Sequence, residues 1–112
     1  MIRIGLGQIN PTVGDFVGNS QKIAGFIAEA KTQQCDLVLF PELALCGYPP
    51  EDLLLKRAFV GANRQYLRKL ATVCKGINVI CGYAGSKGDN VYNSAAIIGG
   101  GKVLLSYNKI AL

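Results

Sequence analysis

The sequence predicts an α/β fold with a mixed sheet covered by helices on one face. Three observations carry this. Short apolar runs of strand length alternate with two longer segments whose apolar residues recur at helical spacing. The first half orders these as strand, helix, strand, helix, strand, which calls for parallel strands joined by right-handed crossovers. The second half sets two further apolar runs around a glycine-rich turn, as antiparallel hairpins require.

Residues 2–9 alternate as a strand does, and Asn10-Pro11-Thr12-Val13-Gly14-Asp15 reads as a loop. Asn19 or Ser20 can cap the helix that follows. Its apolar face is Ile23, Phe26, Ile27 and Ala30, at i, i+3, i+4 and i+7. Asp36-Leu37-Val38-Leu39-Phe40 suits a strand buried on both faces, ended by Pro41, which cannot donate to a ladder. A second helix is expected from about Ala58 to Val73. Leu67, Leu70, Ala71 and Cys74 form its stripe, and Gly76 is its stop. Residues 77–83 form the next strand, and residues 85–90 have the composition of a loop. Val91 to Ile98 and Lys102 to Tyr107 read as strands joined by a turn at Gly99-Gly100-Gly101.

Composition bounds the function. Half of the 112 residues are hydrophobic and only 17% are charged, enough apolar material for one packed domain and too much for a disordered chain. No apolar run approaches the ~20 residues of a membrane span. Met1-Ile2-Arg3-Ile4-Gly5 alternates like a strand and does not read as a signal peptide. No membrane association and a cytoplasmic location are therefore expected. The net charge of +5 is spread along the chain. Its densest group, Arg64, Arg68, Lys69 and Lys75, reads as a solvated helix face, so no nucleic-acid partner is expected. Cys35, Cys46, Cys74 and Cys81 form no CxxC pair, and the chain has no histidine. A metal site is not expected, and buried free thiols are. Gly5-Leu6-Gly7 and Gly85-Ser86-Lys87 both lack the spacing of a phosphate-binding loop, so no cofactor is expected in this segment.

Ligands in α/β folds collect at the carboxyl ends of parallel strands. Glu42 lies just past such an end. Set among Phe40, Pro41, Leu43 and Leu45, its carboxylate is expected to be partly desolvated, which favours a base near neutral pH. Composition alone favours a structural glutamate, one at a helix N-terminus or in a salt bridge. Lys109 follows the last strand, where a solvent-exposed lysine is the plain alternative. Cys46, four residues from Glu42, has no histidine to pair with and reads as a packing residue.

Several segments together resemble the nitrilase superfamily of carbon–nitrogen hydrolases. Arg3-Ile4-Gly5-Leu6-Gly7-Gln8-Ile9-Asn10 with Val13-Gly14-Asp15 is similar to the family's first strand and loop. Asp36-Leu37-Val38-Leu39-Phe40-Pro41-Glu42-Leu43 resembles the segment with the catalytic glutamate. Val91-Tyr92-Asn93-Ser94-Ala95 and the glycine hairpin look like the next two strands, and Tyr107-Asn108-Lys109 like the segment with the catalytic lysine. The stretch from Glu42 through Gly47-Tyr48-Pro49-Pro50-Glu51-Asp52-Leu53-Leu54 narrows the resemblance to glutaminase domains fused to glutamine-dependent NAD synthetases. The resemblance implies an α-β-β-α sandwich of which residues 1–112 are the N-terminal part, truncated before the nucleophile.

It also implies a Glu–Lys–Cys triad. Glu42 would be the general base, Lys109 would stabilise the oxyanion, and a cysteine roughly fifty or more residues further on would form a thioester with glutamine. Tyr48 falls where the family lines the glutamine pocket. Ala111 stands where the family usually has histidine. The implied partners are glutamine and a C-terminal synthetase domain beyond this segment, which would bind ATP and Mg and amidate nicotinic acid adenine dinucleotide. A homo-oligomer is expected at full length, and an inactive chain in isolation. Two alternatives remain open: a stand-alone nitrilase-family amidase with the same triad, and a non-catalytic interaction module with a vestigial site.

Overall fold

A computed structural model describes residues 1–49, 51–54 and 56–112. Pro50 of the Tyr48–Leu54 stretch, and Leu55, lie outside the described residues, as do the side chains of Glu51 and Leu54. The order is β1 (Ile4–Leu6), α1 (Phe16–Thr32), β2 (Leu37–Leu39), α2 (Glu51–Leu54), α3 (Arg57–Ala71), β3 (Asn78–Lys87), β4 (Asn90–Gly99) and β5 (Lys102–Ala111). The strands form one sheet in sequence order. β1, β2 and β3 are parallel, and β4 and β5 continue antiparallel. The expected mixed sheet is present, with the short α2 added.

Two boundaries differ from expectation for physical reasons. Asp15, not Asn19 or Ser20, caps α1, its carboxylate accepting from Gly18 N at 2.9 Å. Asn19 falls inside the helix, and its side chain is used elsewhere. β3 runs through Gly85-Ser86-Lys87, which had the composition of a loop, because each of these residues pairs with β4. Only Gly88-Asp89 turns, with Gly88 at φ +61°. Gly100 and Gly101 carry the other hairpin at φ +60° and +81°, the doubly positive geometry that favours glycine.

Both helices cover one face. From α1, Asn19, Ile23, Ile27 and Ala30 point inward, and from α3, Phe59, Asn63, Leu67, Leu70 and Ala71 do. Ile23, Ile27, Ala30, Leu67, Leu70 and Ala71 pack on Val38, Val79, Cys81, Ala96 and Ile98, and Phe59 packs with Leu43, Cys46 and Ala84. Each large aliphatic side chain buried here contributes on the order of 1.5–3 kcal/mol. Cys46, Cys74 and Cys81 are buried free thiols and Cys35 is half-buried. Burial pushes the thiols of Cys46 and Cys74 up to about 11 and that of Cys81 up to about 12.

The other face is bare. Residues alternate across a strand, so the partners of the helix-side positions point away from the helices: Ile4 and Leu6 on β1, Ile80 on β3, Ile97 on β4, and Leu105, Tyr107 and Ile110 near or on the outer strand β5. Ile4, Leu6, Leu105, Tyr107 and Ile110 are all more than half exposed. The outer strands β1 and β5 each have one neighbour in the sheet.

Candidate active site

The turn after β2 carries Glu42 and is tied to β3 on both sides. Phe40 N donates to Ile80 O at 2.9 Å, and Leu45 N donates to Gly82 O at 3.2 Å. Between these anchors the chain reverses at Leu43, a non-glycine residue at φ +50°. The reversal brings backbone directly over Gly82. A methyl group there would meet Leu43 N and Pro41 O at 2.5 Å and Glu42 Cα at 2.8 Å. Glycine at 82 thus allows the close approach that sets the height of Glu42 above the sheet. Cys81 and Tyr83 pack toward the helices, so a side chain at 82 would point to the other face, where the backbone of residues 41–43 passes over it. Leu43 and Cys46 pack back against Phe59.

Lys109 reaches the same place from the outer strand. Asn93 pairs with Ile110 and Ser94 with Asn108, which leaves Lys109 as the extra residue of a β-bulge. A bulge bends its strand and re-aims one side chain. Ser94 Oγ donates to Asn108 Oδ1 at 2.8 Å and fixes the strand next to the bulge. Lys109 had been expected just after a strand; it lies within one, and the bulge directs it.

Three side chains meet. Lys109 Nζ donates to Glu42 Oε1 as an ion pair. Tyr48 Oη donates to Glu42 Oε2 at 2.6 Å. Each carboxylate oxygen therefore accepts from its own donor. The pair is not dry: the side chains of Lys109 and Glu42 are 56% and 41% exposed. The desolvation of Glu42 is only partial, because Leu43 and Leu45 turn into the core instead of shielding the carboxylate. A hollow of about 490 Å³ lies elsewhere, between α3, β3 and β5. Arg64, Arg68 and Lys102 are among the residues that line it, and Glu42, Tyr48 and Lys109 are not.

Cys46 is close in sequence but not in chemistry. It is fully buried, donates to Gly47 O at 3.2 Å, and its raised pKa keeps it protonated at neutral pH.

Composition and spacing did not single out Asn19 for the site. Its side chain is fully buried and spans three backbone groups. Oδ1 accepts from Thr12 N at 2.8 Å, and Nδ2 donates to Thr12 O at 2.8 Å and to Leu45 O at 3.1 Å. The available signal was its phase: Asn19 stands one turn before Ile23 on the apolar stripe. Gly82 gave no local signal at all.

Among known proteins, the carbon–nitrogen hydrolase profile matches residues 3–112. The chain belongs to the carbon–nitrogen hydrolase family. Within that family it is 44% identical over 113 aligned residues to the glutamine-dependent NAD(+) synthetase of Thermotoga maritima, covering 99% of this chain and 19% of that protein. The crystal structure of a glutamine-dependent NAD(+) synthetase from Cytophaga hutchinsonii superposes with a TM-score of 0.87 at 31% identity, over 91% of this chain and 18% of that one. A nitrilase-superfamily amidase from Nesterenkonia sp. AN1 superposes at 0.81 and 30% identity, over 98% of this chain and 44% of that one. That amidase has been solved after Michael addition of acrylamide at its active-site cysteine. This hydrolase chain thus spans about a fifth of the synthetases it matches. It supplies the mixed sheet and helix layer of the nitrilase fold.

Proposed function

We propose that residues 1–112 act as the N-terminal part of the glutaminase domain of a glutamine-dependent NAD synthetase. The observation that carries this is the convergence of Lys109 and Tyr48 on the two oxygens of Glu42. Identity to NAD synthetases over nearly the whole chain supports the choice of glutamine as substrate.

In this reading Glu42 takes the proton from a cysteine thiol supplied from outside residues 1–112. The thiolate attacks the side-chain amide carbon of glutamine, and Lys109 stabilises the oxyanion of the tetrahedral intermediate. Glu42 returns the proton to the leaving nitrogen, and ammonia departs to leave a thioester. Glu42 then takes a proton from water, whose oxygen attacks the thioester carbon; the C–S bond breaks, glutamate leaves, and Glu42 returns the proton to the sulfur. Tyr48 orients the carboxylate and lines the glutamine pocket. The ammonia would serve a synthetase domain that binds ATP and Mg and amidates nicotinic acid adenine dinucleotide. Those groups are assigned outside this segment. Among the described residues no cluster of three His, Cys, Asp or Glu could hold a metal ion. No helix among the described residues is long and apolar enough to cross a membrane. A cytoplasmic homo-oligomer completes the proposal.

The test is a hybrid in which residues 1–112 replace the matching segment of the Thermotoga synthetase. Glutamine should support NAD formation by the hybrid. Glu42→Gln should abolish that support by ~10³-fold or more, and added ammonium should restore it. Glutamine-supported turnover that survives Glu42→Gln would refute the reading. The amidase superposition favours a second reading, hydrolysis of a small aliphatic amide. Placing residues 1–112 in the amidase framework and finding turnover of acrylamide but not glutamine would select it.

A further inference from the structure

We infer that Asn19, on a helix that does not touch the Glu42 carboxylate, is a positioning residue for the candidate base and acts through Tyr48. The inference rests on the glutaminase reading above. Tyr48 is 65% exposed, so packing does little to fix its ring. Its direction is set by the backbone that leads into it, residues 45–47, and that backbone is fastened at three points to α1 and the loop before it. Asn19 Nδ2 donates to Leu45 O at 3.1 Å. Gly14 N donates to Cys46 O at 2.9 Å. Gly47, at φ +74°, lies so close to Val13 that a methyl group would meet Val13 N at 2.9 Å.

Asn19 joins the two sides of this junction, because the same amide also brackets Thr12, accepting from its N–H and donating to its carbonyl, both at 2.8 Å. An asparagine serves the core poorly at a stripe position otherwise filled by Ile23, Ile27 and Ala30. Burying an amide is costly unless its hydrogen bonds are made. Here both amide protons and the oxygen are used, and all three bonds go to the two backbone segments, none to α1. The side chain therefore fixes the Thr12 loop against the Leu45 turn. The chain next emerges at Tyr48, whose hydroxyl occupies Glu42 Oε2.

A double-mutant cycle in the Thermotoga hybrid tests this. If Asn19 acts through Tyr48, Asn19→Ala should lower glutamine-supported kcat/KM about tenfold with Tyr48 present and less than about twofold in a Tyr48→Phe background. The loss in melting temperature should be the same in both backgrounds. Equal activity losses in the two backgrounds would overturn the inference, since a merely structural asparagine would give that result. Where Asn19→Ala fails to fold, Asn19→Ser in the hybrid gives a second measurement. The carbon-13 resonance of Tyr48 Cζ, which senses the hydroxyl's hydrogen bond, should move toward its position in Glu42→Gln. An unmoved resonance overturns the inference. If the hybrid keeps its glutamine-supported activity with Glu42→Gln, the glutaminase reading falls, and the resonance still decides whether Asn19 positions Tyr48.

Discussion

Replacing Gly82 by alanine tests the geometry of the site without altering any group that does chemistry. The added methyl would sit 2.5 Å from both Leu43 N and Pro41 O, and 2.8 Å from Glu42 Cα. Ordinary contact distances begin near 3.5 Å, so the turn must rise by about 1 Å. It cannot rise freely, because Phe40 and Leu45 are hydrogen-bonded to β3 on either side. Overpacking of this kind costs about 1–3 kcal/mol of stability. A displacement of about 1 Å at a reacting group costs on the order of 10²-fold in rate. In the Thermotoga hybrid, Gly82→Ala should therefore lower glutamine-supported kcat about a hundredfold, and ammonium-supported synthesis should be unaffected. Gly61→Ala is the control: nothing lies within 4 Å of a methyl group there, and the residue is inside α3. It should retain activity and gain up to about 1 kcal/mol of stability. A Gly82→Ala hybrid with full glutaminase activity would show that the turn does not set the position of Glu42.

Three further outcomes are expected. Cys46→Ala in the hybrid should keep most glutaminase activity, since a buried thiol with its pKa near 11 is neither accessible nor ionised; a loss of ~10³-fold or more would make it catalytic. Stability of the isolated chain should fall as pH rises above 9. The thiols of Cys46, Cys74 and Cys81 stay protonated in the folded state to about 11 or 12 but ionise near 9 when unfolded, so each removes up to about 1.4 kcal/mol per pH unit in between. Denaturant unfolding at pH 8, 9 and 10 under reducing conditions checks this, and a flat profile would contradict the burial of the three thiols. Finally, the isolated chain should bind an apolar dye or self-associate through its bare sheet face and outer strands; a monomer that melts cooperatively without dye binding would refute this, and ammonia release from glutamine by the chain alone would refute the need for an outside cysteine.

The fold was legible where one periodicity ruled. The stripes on α1 and α3 needed only the i, i+3, i+4 rule, and Leu67, Leu70, Ala71 and Cys74 are all buried as their spacing required. Boundaries failed where turn-forming residues were recruited into a ladder. Gly85 and Ser86 carry loop chemistry but face Tyr92 and Val91 across a hairpin that closes two residues later. Of the site, Glu42, Lys109 and Tyr48 were legible by resemblance, and the structure brings all three together. The devices that aim them were not. Lys109 is directed by a one-residue mismatch between β4 and β5, and such a mismatch exists only once both strands are paired. The importance of Gly82 likewise depends on a turn forty residues away in sequence. Asn19 could have been flagged, as a polar residue in phase with Ile23 and Ile27, but its partners in the Thr12 loop and at Leu45 are set by tertiary structure.

The bare face of the sheet has a consequence for when the site can work. Glu42 and Lys109 meet on that face, and water reaches both. In water their attraction is heavily screened; at the effective dielectric of a protein surface the same charges interact about four times more strongly. Whatever apolar surface covers Ile80, Ile97 and Tyr107 would also draw water away from the pair. In the glutaminase proposed above, covering that face would join assembly and activation in a single event, with Glu42 and Lys109 held in a solvated state beforehand.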